Sequence, residues 1–261
     1  MMTALDTRLQ KFWKTRGWVR FVDLLPKSTV SRLPEWIDAV AAPPASEQER
    51  RLHYYEQTEH GPVMCRTERY VDDHRGLRDL ITTPPLVDIA AQLLGEAVVL
   101  YKEKVNYKHP GGAGFAAHQD AMAYRFAHNH ITCLVAVDGM TEDNGCLEFA
   151  RGTFASILPD DGDGCLDQRT VGRYTWEPVP VPAGGVIFFS SLVPHRSGPN
   201  RGESSRRALY LTYNGRSSGD LRDAYYAARE KEMQNATGRG ASRISNIGHF
   251  QGLPVSERDE S

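Results

Sequence analysis

Cysteine is scarce: the 261 residues hold four, Cys65, Cys133, Cys146 and Cys165, and none stands in a C-x-x-C pair. A disulfide framework or a zinc site is therefore not expected, and Cys133 and Cys146 fall in apolar runs where a thiol serves as a small core residue. Long apolar runs are lacking as well. No window approaches the ~18 to 20 residues that cross a bilayer, and charge interrupts the N-terminal stretch throughout, which leaves no signal-peptide core. The expectation is a soluble, cytoplasmic protein without a membrane partner. Neither sign of charge dominates, with 31 Lys and Arg against 33 Asp and Glu and a formal net charge of -2. No global field draws nucleic acid, so an anionic ligand has to be held locally. Internal repeats and linkers are missing too, and the glycines at 111, 112 and 114 are not followed by G-K-[ST], which argues against a phosphate loop.

What remains is an ordinary globular composition, 40% hydrophobic and 25% charged, in a chain long enough to bury a core. Leu5, Leu9, Phe12 and Trp13 recur at helical spacing over residues 4–14, and Gly17 ends that pattern before a short strand at 18–21. A second helix is predicted over 28–40, strands over 52–57 and 63–70, and helices over 76–81 and 85–94. From residue 97 the texture turns to β, with runs at 98–108, 130–138, 145–150, 175–181, 185–189 and 206–213 bounded by Gly, Pro, Asn and Asp. That pattern predicts a mainly β protein with flanking helices, a sandwich or jelly roll. One further helix is predicted over 221–234. The division expected is one domain over 1–235, with its core at about 97–214, and a loosely ordered tail at 236–261 rich in Gly, Ser, Arg and Asn.

Of nine histidines, only His118 opens an H-x-D pattern, with Asp120. In an extended segment residues two apart share a face, so the pair can grip one ion. His195 is available as a third ligand, delivered where the apolar run 186–189 turns into the next strand. Two histidines and one carboxylate leave one octahedral face open, the arrangement of non-haem Fe(II) oxygenases. Arg206 opens the strand 206–213, and a fixed guanidinium near such a metal suits capture of a carboxylate, as on a 2-oxoacid. Alternation separates it from Arg207, which shares a face with Leu209 and Leu211, whereas Arg206 shares one with Ala208.

H-x-D, the distal histidine of His195-Arg196-Ser197-Gly198-Pro199-Asn200, the arginine before Ala208-Leu209-Tyr210-Leu211-Thr212-Tyr213, and Asn144-Gly145-Cys146-Leu147 between them resemble the phytanoyl-CoA dioxygenase family of Fe(II)/2-oxoglutarate oxygenases. The resemblance implies a double-stranded β-helix of the cupin-like, jelly-roll kind. It implies Fe(II) on His118, Asp120 and His195, 2-oxoglutarate as cosubstrate on Arg206 with Ser197, Thr132 and Asn106, and dioxygen as oxidant. One departure is Arg151-Gly152-Thr153-Phe154, where the family pattern carries a histidine. The run 101–108 and Tyr124-Arg125-Phe126 are most similar to hydroxylases of 2-aminoethylphosphonate or its trimethylated analogue. That implies a small-molecule substrate with its phosphonate on Lys104, Lys108 and Arg125, and any ammonium on Tyr124 and Glu148.

Other readings stay open. Lys104 and Lys108 also suit a solvated strand face, and Tyr124 and Arg125 a snorkelling rim. His128 and His130 lack a carboxylate partner, Asp160, Asp161 and Asp163 lack the glutamate of a calcium loop, and Asp72, Asp73 and His74 suit a helix cap. Rival functions are a hydroxylase of betaine, ectoine-like or acyl-CoA substrates, a metal-dependent cupin-like isomerase or lyase, and a jelly roll that only binds.

Overall fold

The computed structural model describes residues 5–43, 46, 50–58, 61–124, 129–235, 249–250 and 253–254. The chain enters through α1 (Thr7–Arg16), β1 (Trp18–Phe21), α2 (Lys27–Val30), α3 (Leu33–Ala41), β2 (Leu52–Thr58), β3 (Gly61–Glu68), α4 (Arg75–Thr82) and α5 (Leu86–Leu94). Strands then dominate: β4 (Val98–Lys108), β5 (Phe115–His118), β6 (His130–Ala136) and β7 (Leu147–Ala150), followed by the single-turn α6 (Gln168–Val171). After it come β8 (Trp176–Val179), β9 (Val186–Ser190), β10 (His195–Ser197), β11 (Arg206–Gly215), α7 (Arg222–Asn235), β12 (His249–Phe250) and β13 (Leu253–Pro254).

The predicted helix over 28–40 is two helices. Pro34 sits in the first turn of α3, where its missing N–H costs nothing, whereas inside a continuous helix it would clash with the preceding turn. His74, rather than an aspartate, caps α4, its Nδ1 accepting from the Leu77 amide at 3.1 Å. β5 and α6 were not read as separate elements, because four residues are too few to establish a period. The predicted tail over 236–261 lies outside the described residues except for β12 and β13, a short antiparallel pair of which Phe250 stands opposite Phe115 of β5.

Two sheets form the jelly roll. The seven-stranded sheet runs β1-β9-β6-β11-β4-β3-β2, and the six-stranded one β13-β12-β5-β10-β7-β8. β11 pairs with both β4 and β6, and the register sets Arg206 opposite Lys108, Ala208 opposite Asn106, Tyr210 opposite Lys104 and Thr212 opposite Lys102. Alternation sends Val105, Tyr107, Leu209, Leu211 and Tyr213 to the outer face, where they join Leu33, Ile37, Leu77, Ile81 and Ile89 of the helices in one core. A second core of Trp18, Leu134, Phe149, Ile187 and Phe189 fills the space between the sheets. The large sheet is thus covered on both faces. No helix among the described residues is long and apolar enough to cross a membrane.

Candidate active site

β5 and β10 pair antiparallel with His118 directly opposite His195. The pairing slips between there and Ser197, which faces Phe115, so β5 carries one more residue than β10 across the interval. Such a bulge re-aims side chains, and Phe115 and His118 both face the same cavity although they stand three apart. The extended segment stops at Gln119, and Asp120 opens a 3-10 turn, Asp120–Ala123. Gln119 fastens that turn by donating to the Leu192 and Ser156 carbonyls and accepting from the Leu158 amide.

Three potential ligands converge. One donor atom from each of His118, Asp120 and His195 lies within 4.8 Å of the others, and all three residues are buried. Asp120 Oδ1 stands 3.8 Å from His118 Nε2 and 3.9 Å from His195 Nε2. A carbonyl oxygen can only accept, so the contacts of His118 Nδ1 with the Ala116 carbonyl at 2.7 Å and of His195 Nδ1 with the Val193 carbonyl at 3.2 Å place a proton on each Nδ1. That leaves both Nε2 lone pairs facing Asp120. Thr132 donates its hydroxyl to the other aspartate oxygen, Oδ2, at 2.8 Å. Burial, then His195, lowers the His118 pKa to about 3, and burial also lowers that of His195. Burial alone would raise Asp120, but His195 and Lys104 hold it below the usual carboxylate range. Two neutral imidazoles and one carboxylate with oriented lone pairs fit a divalent ion of the Fe(II) type.

Arg206 is buried at the far end, where one terminal nitrogen donates to the Gly145 carbonyl at 2.8 Å and Nε makes no hydrogen bond. Gly145 adopts φ +74°, and a Cβ there would stand 2.3 Å from the Gly198 carbonyl oxygen, so the close approach of these turns needs glycine. Ser197 Oγ accepts from Lys108 Nζ at 2.8 Å and from the Phe115 amide at 3.3 Å. Asn106 Oδ1 accepts from Arg66 Nε at 2.9 Å. A small recess is lined by Arg206, Lys108, Asn106, Phe115, Glu56 and Cys65. Arg207 turns the other way, onto Asp138 and Asp38.

The main cavity, about 780 Å³ with its open mouth, holds the triad together with Arg66, Glu68, Lys102, Lys104, Asn106, Ser197, Tyr210, Tyr225 and Arg229. This geometry gives four of the expected site residues other contacts. Glu148 lies outside this lining, on the other side of β7 from Leu147, with Oε2 held by Arg196 at 2.8 Å. Tyr124 does not line the cavity either: its hydroxyl meets Thr212 Oγ1 at 3.1 Å. Lys108 belongs to the Arg206 end, and Thr132 serves Asp120. Arg125 and His128 lie outside the described residues, and His130 is buried among Tyr101 and Tyr124.

Sequence reasoning missed Arg66, Glu68, Lys102, Tyr210, Tyr225 and Arg229. Lys102 has the same strand parity as Lys104 and was open to detection. Arg66 and Glu68 reach the cavity only because β3 pairs with β4, setting Arg66 opposite Asn106 and Glu68 opposite Lys104. Lys102 is buried and Lys104 partly so, and among the described residues neither makes a hydrogen bond or an ion pair. Burial lowers both pKa values, and for Lys104 the neighbouring Arg66 and Lys102 add to the effect.

A jelly roll with a facial pair of histidines and one aspartate inside its mouth, and an arginine deeper in, is the build of a non-haem Fe(II)- and 2-oxoglutarate-dependent dioxygenase. The profile of the phytanoyl-CoA dioxygenase family matches residues 13–208, and the chain belongs to that family. It is 43% identical over 258 residues to a methylphosphonate hydroxylase of Gimesia maris, covering 98% of each chain. To a 2-aminoethylphosphonate dioxygenase of an uncultured bacterium it is 33% identical over 248 residues, 91% of this chain and 95% of the relative. Among solved structures, EctD from S. alaskensis with 2-oxoglutarate and 5-hydroxyectoine superposes with a TM-score of 0.72 at 21% identity, over 82% of this chain and 77% of that one.

Proposed function

We propose that this enzyme hydroxylates a small phosphonate at the carbon next to phosphorus, with Fe(II) held by His118, Asp120 and His195. The observation that carries the reading is the pair Lys102 and Lys104, which among the described residues make no hydrogen bond or ion pair and share one cavity with the triad. A buried charge without a partner is costly, and a phosphonate dianion supplies what is missing. Arg66 and Arg229 line the same cavity and add to its positive lining. The phosphonate-specific names of two relatives support the same class.

Bound iron, with 2-oxoglutarate and dioxygen, supplies the oxidising power for hydroxylating a carbon–hydrogen bond, with succinate and carbon dioxide as coproducts. The protein's part is positional. The backbone carbonyls of Ala116 and Val193 keep both imidazoles in the ligating tautomer, and Thr132 leaves Asp120 Oδ1 as the ligating oxygen. Arg206 receives the far carboxylate of the oxoacid with Ser197 and Lys108 beside it, and the free Nε–H is one donor for that contact. Lys104, flanked by Arg66, orients the phosphonate so that its neighbouring carbon faces the metal. One oxygenase domain over 1–235, working in the cytoplasm, completes the reading.

Succinate release with Fe(II), 2-oxoglutarate and ascorbate tests it, using methylphosphonate, 2-aminoethylphosphonate, its trimethylated analogue, a betaine and a phytanoyl thioester. Release with at least one phosphonate is expected. Turnover confined to the betaine or the thioester would overturn the substrate class.

A further inference from the structure

The groups that could seat a substrate ammonium are already matched to cations of the protein itself. Lys102 Nζ lies over the rings of Tyr124 and Tyr225, 4.8 and 5.3 Å from their centroids, and Lys104 Nζ over Tyr210 at 5.1 Å. Glu68 Oε1 meets Arg66 at 3.4 Å. An aromatic face attracts one cation well, and a second cation in the same place is repelled by the first.

We propose that Lys102 determines specificity at the phosphonate site: its ammonium fills the seat at the cavity-lining ring of Tyr225 and selects phosphonates that carry no ammonium group. The proposal rests on the phosphonate reading and adds which phosphonates are accepted. Lys102 enters the cavity from β4 and Tyr225 from α7, so the seat is built between a strand and the helix packed against it. The lining answers an anion from several sides, through Arg66 of β3, Lys102 and Lys104 of β4 and Arg229 of α7. Besides Asp120, the described lining residues include one carboxylate, Glu68. Its Oε2 makes no hydrogen bond, which gives the competing arrangement: an ammonium held by Glu68.

Ethylphosphonate and 2-aminoethylphosphonate differ in the ammonium and little else, and they separate the two arrangements. Succinate release and anaerobic calorimetric binding would be measured with each on the Fe(II)- and 2-oxoglutarate-loaded enzyme. The wild type is expected to favour ethylphosphonate by at least ~10-fold in kcat/KM, a difference of about 1.4 kcal/mol. Lys102→Met should narrow that ratio by about the same factor, and Lys102→Arg should keep it. A proportional loss with both substrates in Lys102→Met would overturn the proposal, because Lys102 would then act on the phosphonate alone. A wild-type preference for 2-aminoethylphosphonate that Glu68→Gln abolishes would overturn it in favour of Glu68, and the wild-type ratio decides even without a folded Lys102→Met. Binding of a betaine with no binding of either phosphonate would instead remove the phosphonate reading beneath it.

Discussion

His118, Asp120 and His195 each have one atom tied back to the protein and one left over that faces the other two residues. The imidazoles spend Nδ1 on main-chain oxygens and the aspartate spends Oδ2 on Thr132. Their convergence was legible in the sequence because H-x-D and a distal histidine are demanded by the coordination chemistry itself. His195→Ala should lose most bound iron, read by metal analysis of protein reconstituted without oxygen, and nearly all turnover, since changes behind a ligand alone cost ~10 to 100-fold. At Arg206, removal of a charge-assisted pair in a buried site costs ~2 to 5 kcal/mol. The KM for 2-oxoglutarate should therefore rise at least ~10-fold in Arg206→Ala, and Arg206→Lys should also be poor for want of a planar fork. Arg207→Ala, which disturbs only Asp138 and Asp38, should leave that KM within about twofold.

Among the elements, β4 was the most legible and α7 the least useful to read alone. In the run 98–108 Lys102, Lys104, Asn106 and Lys108 share one face and Glu103, Val105 and Tyr107 the other, Gly95 and Pro110 bound it, and β4 spans Val98–Lys108. The helix over 221–234 was expected as an element, but nothing local says that Tyr225 and Arg229 reach the cavity. That depends on docking to β4, where Arg222 donates to both oxygens of the buried Glu103, at 3.0 and 2.6 Å, and Tyr226 meets the same carboxylate at 3.3 Å. Arg222→Ala would strand a buried charge, at a cost of about 3 kcal/mol. Urea denaturation should show that loss, and hydrogen exchange should quicken over 222–231. Because α7 carries two cavity residues, the KM for substrate should rise more than that for 2-oxoglutarate.

At the scale of the molecule, helices cover the outer face of the large sheet and the smaller sheet covers its inner face, so the site stands on strands fixed from both sides. The layered, mainly β architecture followed from strand spacing and the helical patterns before residue 95. The partnership of β5 with β10 did not, since two strands of four and three residues carry no periodic signal of their own. Between them lies the slip in register that gives β5 its extra residue. The Ala116 carbonyl at that slip turns to His118 Nδ1. Deleting Ala116 should give a more regular ladder and a poorer metal site: iron affinity should fall ~10 to 100-fold while far-ultraviolet circular dichroism stays the same. Tolerance to change is therefore asymmetric along β5. Conservative replacement of Ala116 should be tolerated there, because its backbone oxygen makes the contact with His118, but a change in length should not.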